Sequence, residues 1–208
     1  AEWATANAGG SGFFRARYSP EMLKALSGSM FENLTPIERY GLVDDTWSSV
    51  MAGRTSATDF LDFARSFQPE TDLDVWTVLS GCLSGLDKLV EGEAKLQYKA
   101  AVRDLAQPAL DRLGWEPSDS NSSRDLELRG LFIRLLANVG DDDLALKNAG
   151  DLHDSYLVDA GSVEPNIAAA ATGIVASKGD SAQYEVFLDK HHNPSTPQEE
   201  RRYQSALS

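Results

Sequence analysis

The chain has 208 residues, 42% of them hydrophobic and 25% charged, which is enough apolar side chain to bury a sizeable core. Nineteen Lys and Arg against 32 Asp and Glu leave a net charge of −13, and such a surface repels phosphate backbones and anionic lipid, arguing against nucleic acid and membranes as partners. The single cysteine, Cys82, rules out an internal disulfide, and no apolar run is long enough to span a bilayer. An acidic chain of this kind fits a cytoplasmic protein. The absence of a signal-peptide pattern carries little weight, because Ala1 reads as a cut made mid-protein.

Residues 1–18 are the one strand-like part. Phe13, Arg15 and Arg17 alternate with Phe14, Ala16 and Tyr18 after Gly9-Gly10-Ser11-Gly12, as in an edge hairpin. The glycines suggest a tight turn and not a phosphate loop, since no Lys-Ser/Thr follows and the next residues are not helical. Ser19-Pro20 then caps a helix with Met22, Leu23, Leu26, Met30 and Phe31 as its apolar members. Thr35-Pro36, with Glu38 closing a capping box, starts a second. Its apolar stripe is Ile37, Tyr40, Leu42, Val43, Trp47 and Val50, with Glu38, Arg39, Asp45 and Ser48 opposite. Gly53 stops that helix, Ser56 caps the next, and Phe60, Leu61, Phe63, Ala64 and Phe67 form its buried face. After Pro69, Glu70-Thr71-Asp72 places acidic residues at the positive end of a helix running to about residue 90. Trp76, Leu79, Leu83, Leu86 and Leu89 line its apolar face, and Cys82 within it reads as a buried, inert thiol.

Gly92 separates that helix from a long one over about 93–113, in which Pro108 predicts a kink. Residues 114–124 are the most loop-like stretch, and a helix restarts at Asp125 and runs to Val139. Gly140-Asp141-Asp142-Asp143 is a stop followed by an acidic start; the aspartates read as a helix cap, because a calcium loop needs spaced ligands, a central glycine and a distal glutamate. Further helices follow to about Asp159, over Ile167 to Ser177, over about 181–191 and from Thr196 onward, the last expected to continue past the final residue. Helices recurring about every 15–25 residues without a strict repeat predict an all-α, HEAT-like α-solenoid of antiparallel helix pairs, with a closed bundle as the alternative.

Catalytic chemistry finds no home in this pattern. A zinc peptidase needs two histidines one helical turn apart and a carboxylate to activate water. The only histidines are His153, His191 and His192; the last two are adjacent, about 100° apart on a helix, and His153 has no second histidine at i+4. No Gly-x-Ser-x-Gly elbow is present, and the pairs Asp44-Asp45 and Glu199-Glu200 suit helix termini or solvated faces. The reading is therefore of a chain with no catalytic, metal or cofactor-binding residues of its own.

One resemblance goes further. The spacing Ile37-x-Arg39-x-x-Leu42-x-x-Asp45, then Ala52-Gly53, then Glu70 with Trp76 six residues on, resembles the start of the C-terminal helical domain of M1-family zinc aminopeptidases. Upstream, Asn7 to Tyr18 resembles that family's handover from a small β-sandwich domain to the helices. The likeness is close over residues 7–76 and beyond them rests on helical character. It implies a strand remnant of the preceding domain over 1–18 and a helical domain over 19–208. The residues carrying the family pattern are Asn7, Gly9, Gly12, Arg15, Tyr18, Arg39, Leu42, Asp45, Gly53, Glu70 and Trp76. It further implies a parent metallopeptidase, a hydrolase that removes N-terminal residues from peptides, with zinc in an earlier domain. This piece would then wall part of the substrate chamber and gate access. Its partners would be the catalytic and β-sandwich domains of its own chain and the peptide substrates. A free-standing helical-repeat scaffold that binds a protein partner is the competing reading. Two finer expectations follow: Trp47 and Trp76 are buried, and Arg15 and Arg39 tie the strand remnant to the first helical hairpin, through Asp44, Asp45 or backbone carbonyls.

Overall fold

Ser19, Thr35, Ser56 and Asp72 each stand just before a helix, and three of the four caps work through the side chain's own acceptor. Ser19 Oγ accepts from the Met22 amide, Ser56 Oγ from that of Asp59, and Asp72 Oδ1 from those of Asp74 and Val75. At Thr35 the contact observed is the reverse half of the box, Glu38 accepting the Thr35 amide at 2.8 Å. These signals set α1 (Pro20–Asn33), α2 (Pro36–Met51), α3 (Ala57–Arg65) and α4 (Leu73–Asp87), followed by α5 (Glu93–Leu113), which runs through Pro108. The computed structural model describes residues 4–207, so residues 1–3 of the expected strand remnant and Ser208 lie outside the described residues. The described residues are all-helical, in two compact units that meet in sequence between Ala109 and Leu110.

In the first unit α1 packs on α3, and α2 on α3 and α4. The core is Leu26, Met30, Val43, Phe60, Phe67, Val75, Trp76, Leu79 and Leu83. Trp47 is only half-buried, short of expectation, because its ring lies along the helix surface at Gly85; a Cβ there would stand 2.9 Å from the ring. Gly53 takes φ +67 so that the turn can close with the Arg54 amide on the Ser49 carbonyl at 2.8 Å.

Three expectations fail here. No strand forms among residues 4–18: a 3₁₀ turn at Ala8–Gly10 leads into irregular backbone whose partners are side chains, and without a second strand there is no ladder to join. The face of α2 is also rotated from its expected setting, with Ile37 54% exposed while Arg39 and Asp45 are buried. The N-terminal segment lies against α2 and covers the side that the pattern assigned to water. The helix after Pro69 also ends sooner, at Asp87, where the Leu89 and Val90 amides fold back onto the Leu86 carbonyl.

The second unit begins with the end of α5 and continues through α6 (Ser123–Arg134), α7 (Asp143–Val158), α8 (Pro165–Lys178), α9 (Ser181–His192) and α10 (Pro197–Ala206). Its centre is α8, whose small residues Ala168, Ala170, Ala171 and Thr172 are buried where α6, α7 and α10 press in. Gly130 of α6 comes so close that a Cβ would sit 3.1 Å from the Asn166 carbonyl oxygen. After α6 the chain widens into a π turn, Leu135–Val139, with the Gly140 amide on the Leu135 carbonyl. Asp142 then caps α7 by accepting the Ala145 amide, as the capping reading of the aspartates required. Within each unit, helices two apart in the chain pack together, the pattern that stacked helical hairpins give. Among the described residues no helix is long and apolar enough to cross a membrane.

Candidate functional site

Arg39, Leu42, Val43 and Thr46 lie at i, i+3, i+4 and i+7 on α2, so an inward-facing stripe carries one cation with it. A buried guanidinium must find acceptors for its fork of donors. Arg39, 9% exposed, donates from Nε to Glu70 Oε2 at 2.6 Å and from Nη2 to Glu70 Oε1 at 2.9 Å. Nη1 goes to the Leu34 carbonyl at 2.8 Å, and the Phe31 ring stands 5.1 Å away. Glu70, 1% exposed in the loop between α3 and α4, also accepts the Thr71 and Asp72 amides at 2.9 Å each. Its own carbonyl takes the Trp76 indole N–H at 2.9 Å. Arg39, Glu70 and Trp76 are therefore one buried network joining the end of α1, α2, the α3–α4 loop and α4. With four donors on its two oxygens, the Glu70 carboxylate is a structural acceptor and not a base in waiting.

A second cluster sits where the N-terminal segment meets α2. Gly9 and Gly10 both take positive φ, and the Asn7 amide closes the turn by accepting the Gly12 N–H at 2.7 Å and donating to the Gly12 carbonyl at 3.1 Å. The Gly9 N–H reaches Glu38 Oε1 at 2.9 Å, which with the Thr35 donors holds the Glu38 carboxyl below its ordinary range. The Tyr18 hydroxyl accepts the Ala6 amide at 3.1 Å. Arg15 pairs with Asp44 and stands 3.6 Å from Asp45. Burial pushes the Asp45 carboxyl up, against the Ala16 amide and the Arg15 charge.

Of the residues that the resemblance names, Asn7, Gly9, Gly12, Arg15, Tyr18 and Asp45 meet where the N-terminal segment lies on α2, and Arg39, Glu70 and Trp76 meet in the buried network. Leu42 is plain core and Gly53 ends α2. Arg15 finds the aspartates named for it. Arg39 finds a backbone carbonyl, that of Leu34, but neither aspartate; its carboxylate partner is Glu70, which the sequence reading placed at a helix terminus and in the family pattern without pairing it to Arg39.

Cys82 and His153, two further groups that could perform chemistry, are spent on packing. Cys82 is buried, and desolvation pushes its thiol up to about 12, so a reactive thiolate does not form near neutrality. His153, on α7, is buried with Nδ1 3.2 Å from Thr172 Oγ1 and its ring edge-on to Phe187. The Thr172 hydroxyl already donates to the Ala168 carbonyl, which leaves it to accept from Nδ1–H; burial pushes the histidine's pKa down. His191 and His192 lie side by side near the end of α9, and among the described residues no three His, Cys, Asp or Glu side chains converge as a metal site needs. The donors present do not fit zinc.

A family model described as ERAP1-like C-terminal domain matches residues 3–208. Among curated proteins, Aminopeptidase M1 of Arabidopsis thaliana is 29% identical over 99% of this chain and 24% of its own length. Puromycin-sensitive aminopeptidase of Caenorhabditis elegans is 26% identical over 100% of the chain and 22% of its own. Aminopeptidase 2 of Candida albicans is 26% identical over 91% of the chain and 21% of its own. The chain spans about a quarter of the length of these relatives.

Proposed function

The chain belongs to the ERAP1-like C-terminal domain family, and from that premise we propose that it serves, within a longer M1 aminopeptidase, as the non-catalytic wall of the substrate chamber and gates the entry of peptides. The observation that carries this reading is the match of nearly the whole chain to one part of proteins named aminopeptidases. On this proposal the parent removes N-terminal residues from peptides in the cytoplasm, using zinc held by residues outside this chain. The catalytic and β-sandwich domains of that parent are its partners, and residues 4–18 are the segment that leads from the sandwich into the helices. The contact of the N-terminal segment with α2 supports this reading over a free-standing scaffold, because Asn7 closes the segment's turn while Gly9 and Arg15 spend their polar groups on Glu38 and Asp44 of α2. The buried Arg39–Glu70 pair would keep that hairpin rigid beside the junction, leaving helix ends and loops to absorb any closure.

The test is made in the full-length enzyme. Deleting the helical domain after Tyr18 should change the preference between long and short peptides while leaving zinc content intact. Circular dichroism and zinc analysis must first show a folded, loaded truncation. An unchanged length profile in such a truncation would defeat the chamber role.

A further inference from the structure

Between α1 and α3 of the first unit lies a cleft of about 600 Å³, floored by Tyr18, Leu23 and Phe63. Three cations from three separate stretches line it: Arg17 ahead of α1, Lys24 on α1, and Arg54 in the turn after α2. All three are exposed, and among the described residues none of their side chains makes a hydrogen bond or ion pair. Two carboxylates share the lining but are held by their own helix: Asp62 pairs with Arg65, and Asp59 stands in the first turn of α3, where the helix dipole favours a negative charge. In a chain of net charge −13, carboxylates are in ample supply to pair these cations. The fold instead gathers three cations around one hollow that holds two carboxylates, so the lining keeps a net positive charge.

We propose that this cleft binds a small phosphate monoester with an aromatic or apolar body. A phosphate ester carries a charge of about −1.5 to −2 at neutral pH and three strong acceptors, which three cations match better than they match a monocarboxylate. The planar forks of Arg17 and Arg54 can each take two phosphate oxygens, and Lys24 adds a mobile point charge. Tyr18, Leu23 and Phe63 supply the apolar floor on which the rest of the ligand would lie, in a volume within the usual range for small-molecule sites. The inference is independent of the chamber reading, since it needs only the first unit.

The experiment titrates the 208-residue chain, ¹⁵N-labelled, with phenyl phosphate, and in separate arms with inorganic phosphate and with phenol. Saturable shifts confined to residues 17–28 and 54–66 are expected with phenyl phosphate, weaker ones with inorganic phosphate, and none with phenol. Removing two charge-assisted contacts in R17A/R54A should weaken phenyl phosphate by about tenfold or more, and both residues are exposed, so the variant's spectrum should otherwise stay put. The proposal is overturned if millimolar phenyl phosphate gives no saturable shift, if R17A/R54A binds it as well as the parent chain, or if inorganic phosphate binds as tightly as the ester.

Discussion

Glu70→Gln is the sharpest probe of the buried network. The substitution keeps the side chain's length and one acceptor oxygen for the Thr71 and Asp72 amides, but removes the charge and turns the other oxygen into a donor facing Arg39. Arg39 then keeps the Leu34 carbonyl, the Phe31 ring and the one bond from Nη2 to the retained oxygen, but loses its Nε acceptor and its counter-charge, with its own charge still buried. Breaking a buried ion pair from one side typically costs about 3–5 kcal/mol, against a total domain stability of about 5–15 kcal/mol. Urea denaturation at pH 7 should therefore show the midpoint falling sharply with m unchanged. The cost should persist at high salt, because ions do not reach a pair whose members are 9% and 1% exposed. Arg39→Met placed on top of Glu70→Gln should recover part of the loss, since the stranded cation is gone. A loss under about 1 kcal/mol for the single variant, or one that vanishes in salt, would mean the pair is a solvated surface bridge and the reasoning is wrong.

Three further outcomes follow from the same geometry. Gly85→Ala should destabilise by about 1–3 kcal/mol, because its Cβ would meet the Trp47 ring at 2.9 Å, whereas Gly81→Ala on the same helix meets nothing within 4 Å and should stabilise by up to about 1 kcal/mol; equal effects in paired melts would deny the Trp47 contact. Arg15→Ala should cost no more than about 1 kcal/mol and lose most of that in salt, as its guanidinium is exposed. For His153 the folded pKa lies below the ordinary value, so between the two the unfolded chain holds more protons. Stability should be level above about pH 7 and fall as pH drops through about 6.5, with the histidine's share of that slope absent from His153→Phe; a slope unaltered by the substitution would show that the ring is free to charge in the fold.

Most helix boundaries were legible because this chain marks them twice, by a capping residue and by proline or glycine. Ser19-Pro20, Thr35-Pro36 and Thr196-Pro197 all open helices where those pairs predict them. The π turn at Leu135–Val139 was not legible. Leu135, Leu136, Ala137 and Val139 are all buried and the exposed Arg134 and Asn138 lie four residues apart, the ordinary helical spacing, so nothing in the pattern marks one widened turn. The expected strand failed for a different reason. Alternation at Phe13 to Tyr18 reports a preference that only a partner strand can realise, and Phe13 is fully exposed in its absence.

The buried network shows how far a sequence can be pushed. Its first half was there to be read: Arg39 falls on the same stripe as Leu42, Val43 and Thr46, so helical phase alone buries it, and assigning it to the opposite face put polarity before geometry. Burial then sets a demand, because an arginine out of water needs a carboxylate close by. The second half lay beyond reach, since Glu70 is thirty-one residues away in a loop and nothing in the local pattern separates it from Asp62, Asp72 or Asp74. What singles it out is tertiary: the turn after Pro69 points two amides at its Oε1, and the indole of Trp76 fastens its carbonyl, so the loop itself holds the carboxylate where the guanidinium lies. Pattern can therefore say that a charge is buried and that it must be paired, while the choice of partner belongs to the loop that presents it.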